Sequence, residues 1–183
     1  ALYESLAIDD IRAAADLLRP TFDSNGGADG FVSLEVNPHF AFQPEATLAQ
    51  VKDLWGRVDR PNLMIKIPGT PQGVPAIRQA LLDGHNINVT LLFAQEAHLA
   101  VMDAYLEALE ERLRRGLPLD RVASVASFFV SRIDAVVDPL LEERIPQPRY
   151  VAASGKYFHL TKQTIIVNCG SDQSNEDFGS CLF

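Results

Sequence analysis

The chain has 183 residues, 47% of them hydrophobic and 22% charged, so it carries enough apolar material to bury a core in an ordinary globular domain. Its formal net charge of -8 at pH 7 speaks against nucleic acid and anionic membrane as partners, because both require a positive field. An anionic substrate would have to be held by a few local cations.

The N-terminal stretch ALYESLAIDD lacks the basic-then-apolar order of a secretory signal, and no uncharged apolar run reaches about 18 residues. The expected compartment is the cytoplasm, with a plastid as the alternative. Cys169 and Cys181 fall in the last fifteen residues without a second Cys or His at metal-ligand spacing. Neither a structural metal nor a disulfide framework is expected.

In chain order, apolar residues at Leu6, Ile11, Ala14, Leu17 and Leu18 predict a helix over residues 2–18, stopped by Pro20. A turn-rich run from Asp23 to Gly30 leads to a short strand, FVSLEV, over residues 31–36. The alternation then repeats: a helix over 47–58, a strand over 63–67, a helix over 74–83 and a strand over 87–92. A long helix over 95–115 places Ala97, Val101, Ala104, Tyr105 and Ala108 on one face, with its charged run Glu107 to Arg115 read as a solvated side. A strand over 122–129 and a helix through about residue 141 complete the series.

Strands alternating with helices form parallel βαβ units, in either a doubly wound sheet or a (β/α)8 barrel. A barrel typically needs about 250 residues and at least about 200, so four strand-helix units would supply only part of one. Pro146 and Pro148 interrupt the pattern after Arg144, and residues 145–183 offer one strand, Thr164 to Asn168, before an ending rich in Ser, Asp, Asn and Gly. The expected organisation is an incomplete barrel domain over 1–144 and an atypical tail over 145–183.

Buried parallel strands should read as unbroken apolar runs. Here each strand is interrupted. Ser33 and Glu35 share one face of the first strand, Asn88 and Thr90 one face of the third, and Lys66 and Ser127 interrupt the second and fourth. Burying such groups without partners costs roughly 2–7 kcal/mol, whereas polar residues near the C-terminal ends of successive strands are what the mouth of a barrel requires.

Lys66 lies between Leu63-Met64-Ile65 and Ile67-Pro68. An apolar setting favours the neutral amine. An ordinary lysine is only about 0.04% deprotonated at pH 7, so lowering its pKa to roughly 7–8 is what makes it a nucleophile able to form a Schiff base with a carbonyl. The alternative is a lysine that snorkels to solvent or pairs with Glu35. Glu35 alone also fits a structural ion pair, and Ser127 alone fits a hydroxyl bonded to backbone. Asn88 with Thr90 matches an N-glycosylation pattern, which a buried strand makes inapt. Arg132 fits a phosphate clamp or a surface salt bridge. His39, His85, His98 and His159 form no ligand pattern.

At DGFVSLEVNP (Asp29 to Pro38), RPNLMIKIPGTPQG (Arg60 to Gly73), INVTLLF (Ile87 to Phe93) and SVASFFVSRID (Ser124 to Asp134), the chain resembles the transaldolase family, in its bacterial-type form. The match runs in order from about Ala1 to Arg144. The resemblance implies a (β/α)8 barrel whose third to sixth strands are those present here. It also implies that Lys66 is the Schiff-base lysine and that Glu35, with Thr90, positions a proton-shuttling water. Asn88 and Ser127 would bond the hydroxyls of a dihydroxyacetone unit, Phe129 would line the pocket and Arg132 would bind the substrate phosphate.

The implied activity is transfer of a three-carbon ketol unit between sugar phosphates in the non-oxidative pentose phosphate pathway. The lysine serves as electron sink, so the chemistry calls for no cofactor or metal. The implied partners are sugar phosphates and a second copy in a homodimer. Family members begin with two further strands, the first bearing an acid/base aspartate, and a later strand brings another phosphate-binding Ser and Arg. Two alternatives stand beside this reading. One is a Schiff-base aldolase of the same fold, of the fructose 6-phosphate aldolase type, and the other is a catalytically inactive fragment.

Overall fold

The structure, a computed structural model, describes residues 2–144. The expected strand at Thr164 to Asn168 and the tail lie outside the described residues. Five helices alternate with four strands: α1 (Leu2–Ser24), β1 (Val32–Glu35), α2 (Pro44–Val58), β2 (Leu63–Pro68), α3 (Gly73–Leu82), β3 (Ile87–Leu92), α4 (Gln95–Arg114), β4 (Ser124–Phe128) and α5 (Val130–Arg144). The strands pair in parallel, in the order β1-β2-β3-β4. A doubly wound sheet reverses its strand order at a switch point. Among the described residues the order never reverses, so the architecture is an arc of a (β/α)8 barrel.

The sheet has two unlike faces. Leu63, Ile65, Ile67, Ile87, Val89 and Ala126 are all 0% exposed and pack against Val51, Leu54 and Val58 of α2, Ile77, Ala80 and Leu81 of α3, and Val101 and Ala108 of α4. Each of the Val, Leu and Ile side chains contributes roughly 1.5–3 kcal/mol by leaving water. The opposite face carries Ser33, Glu35, Lys66, Asn88 and Val125, none of them fully buried, together with the buried Met64, Thr90 and Ser127.

Helix α1 runs past Pro20 to Ser24, further than the sequence pattern predicts. Pro20 forfeits one backbone hydrogen bond, but the extra turn buries Phe22 edge-on against Phe31, with ring centroids 5.2 Å apart. Gly30, at φ +80, lets this turn close, since a Cβ there would lie 2.6 Å from the Phe22 nitrogen. The buried stripe of α1 is Ile8, Ala15 and Phe22, whereas Leu6 and Leu17 are exposed. The side of α4 expected to be solvated also differs, because Arg112 is buried, bonding Leu82 O at 2.8 Å and Pro118 O at 2.6 Å.

Two local features shape the C-terminal ends of the strands. After β2, Thr70 Oγ1 donates to Ala41 O at 2.6 Å and accepts from Gly73 N at 2.9 Å, while a Cβ at Gly73 would sit 2.2 Å from Pro68 O. That close approach explains the second glycine in PGTPQG. In β3, Val89 pairs with Ala126 but Leu92 with Phe128, so one extra residue bulges. The bulge is Leu91, at φ 59, a conformation costing about 1–2 kcal/mol for a residue with a Cβ.

Candidate active site

Glu35, Lys66 and Asn88 stand in one register row across β1, β2 and β3. Parallel pairing directs their side chains to the same face, the one the helices do not cover. Lys66 Nζ lies 3.6 Å from Glu35 Oε2, with the two side chains 24% and 44% exposed. This is an ion pair too long for a hydrogen bond. Its donors and acceptors are not otherwise engaged by hydrogen bonds among the described residues. The pairing expected of a structural lysine is therefore present, on a face open to a ligand.

Asn88 is held from both sides. Its Nδ2 donates to Ser33 Oγ at 3.1 Å, and its Oδ1 accepts from Ser127 Oγ at 2.8 Å. An amide so engaged is a poor glycosylation acceptor. Thr90, two residues further and opposite Pro68, is 1% exposed, and its Oγ1 has no hydrogen-bond partner among the described residues. A buried hydroxyl left unpaired costs about 1–3 kcal/mol. Such a group is available to a substrate or water oxygen.

At the other side of the mouth, the Arg132 guanidinium lies over the Phe129 ring, 5.0 Å from its centroid. Phe129 stacks in turn on Phe93, with centroids 5.1 Å apart and planes 13° from parallel. Among the described side chains, Arg112 and Arg132 alone of the lysines and arginines have no carboxylate within 4.0 Å. Arg112 is committed to backbone carbonyls, which leaves exposed Arg132 as the cation free to meet an anion.

The structure pairs Glu35 with Lys66 and, separately, Asn88 with Ser33 and Ser127, and it seats Arg132 on the Phe129 ring. Thr90 lies two residues from Asn88 on the same face of β3. Ser127 stands at the end of β4, and Phe129 follows just past it. Ser33 and Phe93 were not among the sequence candidates for the site. Sharing a face with Glu35 was the signal for Ser33, while Phe93 reaches Phe129 beyond a bulge that sequence alternation does not reveal.

The family model for transaldolase/fructose-6-phosphate aldolase matches residues 1–167. The chain belongs to this family. It is 52% identical to a transaldolase of Thermobifida fusca (strain YX) over 147 residues, covering 80% of the chain and 40% of the relative. It is 45% identical over 144 residues to a transaldolase of Trichodesmium erythraeum (strain IMS101), covering 79% and 38%. A transaldolase of Mycolicibacterium smegmatis (strain ATCC 700084 / mc(2)155) is 46% identical over 156 residues, covering 85% and 42%. The chain therefore spans about two-fifths of the length of these curated relatives. Among the described residues, no helix is long and apolar enough to cross a membrane.

Proposed function

We propose that the whole protein is a transaldolase that carries a dihydroxyacetone unit on Lys66 from a ketose phosphate to an aldose phosphate. The observation that carries this reading is the row of Glu35, Lys66 and Asn88 on the uncovered face of a barrel arc. The name its relatives carry, transaldolase, points the same way.

The neutral Lys66 amine attacks the C2 carbonyl of fructose 6-phosphate or sedoheptulose 7-phosphate, and loss of water gives the protonated imine. Glu35, through a water shared with Thr90, moves the protons that this addition and dehydration require. The C3–C4 bond then breaks, its electron pair passing into the imine to leave an enamine. The C4 hydroxyl proton goes to a base, a role the family resemblance gives to an aspartate on another strand. The aldose phosphate leaves, and the enamine attacks the aldehyde carbon of glyceraldehyde 3-phosphate or erythrose 4-phosphate. Hydrolysis of the new imine restores Lys66. Asn88 and Ser127 bond the hydroxyls of the retained unit, Phe129 lines the pocket, and Arg132 holds the phosphate. Since the lysine is the electron sink, the carbon-carbon chemistry closes without a cofactor.

Borohydride added to the whole protein with fructose 6-phosphate is expected to trap an adduct on Lys66, since only the imine is reduced to a stable amine. Lys66→Arg should abolish both trapping and turnover because guanidinium stays protonated. An adduct mapped to another residue, or none, overturns the assignment. Product analysis with and without an acceptor aldose separates transfer from release of free dihydroxyacetone, the outcome expected of an aldolase.

A further inference from the structure

We propose that Phe93 is a positioning residue: by stacking on Phe129 it fixes the ring under the Arg132 guanidinium, and so sets the preference for phosphorylated over unphosphorylated sugars. The inference rests on the reading of Arg132 as the phosphate ligand. Its physical ground is a three-part stack in which each neighbour has one partner's geometry to define it: Phe93 on Phe129 at 5.1 Å, and Arg132 on Phe129 at 5.0 Å.

The backbone departs from regular sheet geometry to reach this arrangement. Strict alternation would put Leu92 on the face of Asn88 and Thr90, and Leu91 in the core. The extra residue reverses that order. Leu91 takes a left-handed conformation and is 43% exposed, while Leu92 is 0% exposed. The Leu92 carbonyl accepts from Phe129 N at 3.0 Å, which ties the end of the bulge to the residue that carries the stack. Phe93 follows at once, 44% exposed, so core burial does not account for the position of its ring.

An arginine has a long, flexible stem, and a phosphate that captures it must order that stem. A guanidinium resting on an aromatic face is already partly ordered, provided the ring stays in place. Phe93 keeps it there. Its removal frees Phe129 to turn and Arg132 to wander, without touching Lys66.

The test uses the whole protein. Phe93→Ala is expected to raise KM for fructose 6-phosphate, and the inhibition constant of inorganic phosphate, each by about fivefold, with kcat held within about twofold. Borohydride trapping with unphosphorylated dihydroxyacetone should be unchanged. Phe93→Tyr, which keeps the ring, should behave as the native protein. Unchanged KM and phosphate inhibition in Phe93→Ala overturn the proposal, as does equal loss of phosphate affinity and dihydroxyacetone trapping, the signature of a merely structural residue. Arg132→Ala is the control: if it leaves the inhibition constant of phosphate unchanged, the reading of Arg132 fails, whatever Phe93 does.

Discussion

Asn86 and Asn88 stand two residues apart in the chain and do opposite work. Asn86, at the start of β3, donates to the carbonyls of Leu63 at 3.1 Å and Pro61 at 3.3 Å, and its Oδ1 accepts from Ala123 N at 2.9 Å. It stitches together the chain leading into three strands. Among the described residues the Asn88 side chain bonds only the hydroxyls of Ser33 and Ser127. The same division separates two arginines, Arg112 committed to carbonyls and Arg132 resting on a ring. Asn86 and Arg112 complete the backbone's own hydrogen bonding. Asn88, Thr90 and Arg132, on the uncovered face and just past the strands, bond side chains that can turn or lack a hydrogen-bonding partner among the described residues, as the mouth of a barrel requires.

If that division is right, substitutions in the second group should change chemistry and those in the first should change stability. After Lys66, the largest kinetic effect is expected from Glu35→Gln. It removes the acid-base function proposed for Glu35 while keeping the side chain's shape, so turnover should fall on the order of 10²–10⁴-fold, with melting little changed because Glu35 is 44% exposed. A loss under about tenfold would mark Glu35 as no more than the partner of an ion pair.

The two asparagines sharpen the contrast. Asn88→Ala should cost about ten- to a hundredfold in kcat/KM, the effect of losing a bond to a reacting substrate, with a smaller loss of stability than at Asn86, because the Ser127 hydroxyl it strands can turn to another acceptor. Asn86→Ala removes a buried amide, leaves the Ala123 N–H and its own share of the strand-entry bonds unmade, and should cost about 1–3 kcal/mol of stability, read as a lower denaturation midpoint, while the folded fraction keeps its kinetics. Finding the two outcomes interchanged would break the comparison.

Much of this was legible in the sequence, and the failures have physical causes. All four strands and the helices between them follow from hydrophobic periodicity, and the polar interruptions at Glu35, Lys66, Asn88 and Ser127 marked the uncovered face because side chains alternate by two. Alternation alone could not choose between a doubly wound sheet and a barrel, since strand order is a long-range property. The stop at Pro20 was misread because burial of Phe22 outweighs one lost backbone bond. The charged side of α4 concealed Arg112, whose partners are carbonyls that no sequence pattern displays. The bulge at Leu91 has no glycine to announce it, so the meeting of Phe93 with Phe129 could not be anticipated.

The smallest effect expected concerns pH, and it belongs to the structural side of the comparison. His85, between α3 and β3, packs edge-on against Trp55 at 5.1 Å, and its Nδ1 lies 3.1 Å from Ala80 O. Burial holds its pKa below the ordinary 6.5, although the Ala80 carbonyl and Asp83 oppose the shift, while Lys52 adds to it. In the unfolded chain the ring takes up its proton first as the pH falls. The stability it confers is therefore complete above about 6.5 and is lost as the pH drops through the lower folded value. His98, whose pKa burial also lowers, adds a dependence of the same sign. His85→Asn keeps a donor near the Ala80 carbonyl but cannot titrate, so between pH 7 and pH 5 its melting temperature should fall less than that of the native protein. The Lys66–Glu35 row lies at the other end of the strands, and borohydride trapping by this variant at pH 7 should match the native level. Equal slopes in the two proteins would show that the ring contributes packing alone, and a loss of trapping would show that the two ends of the sheet are not independent.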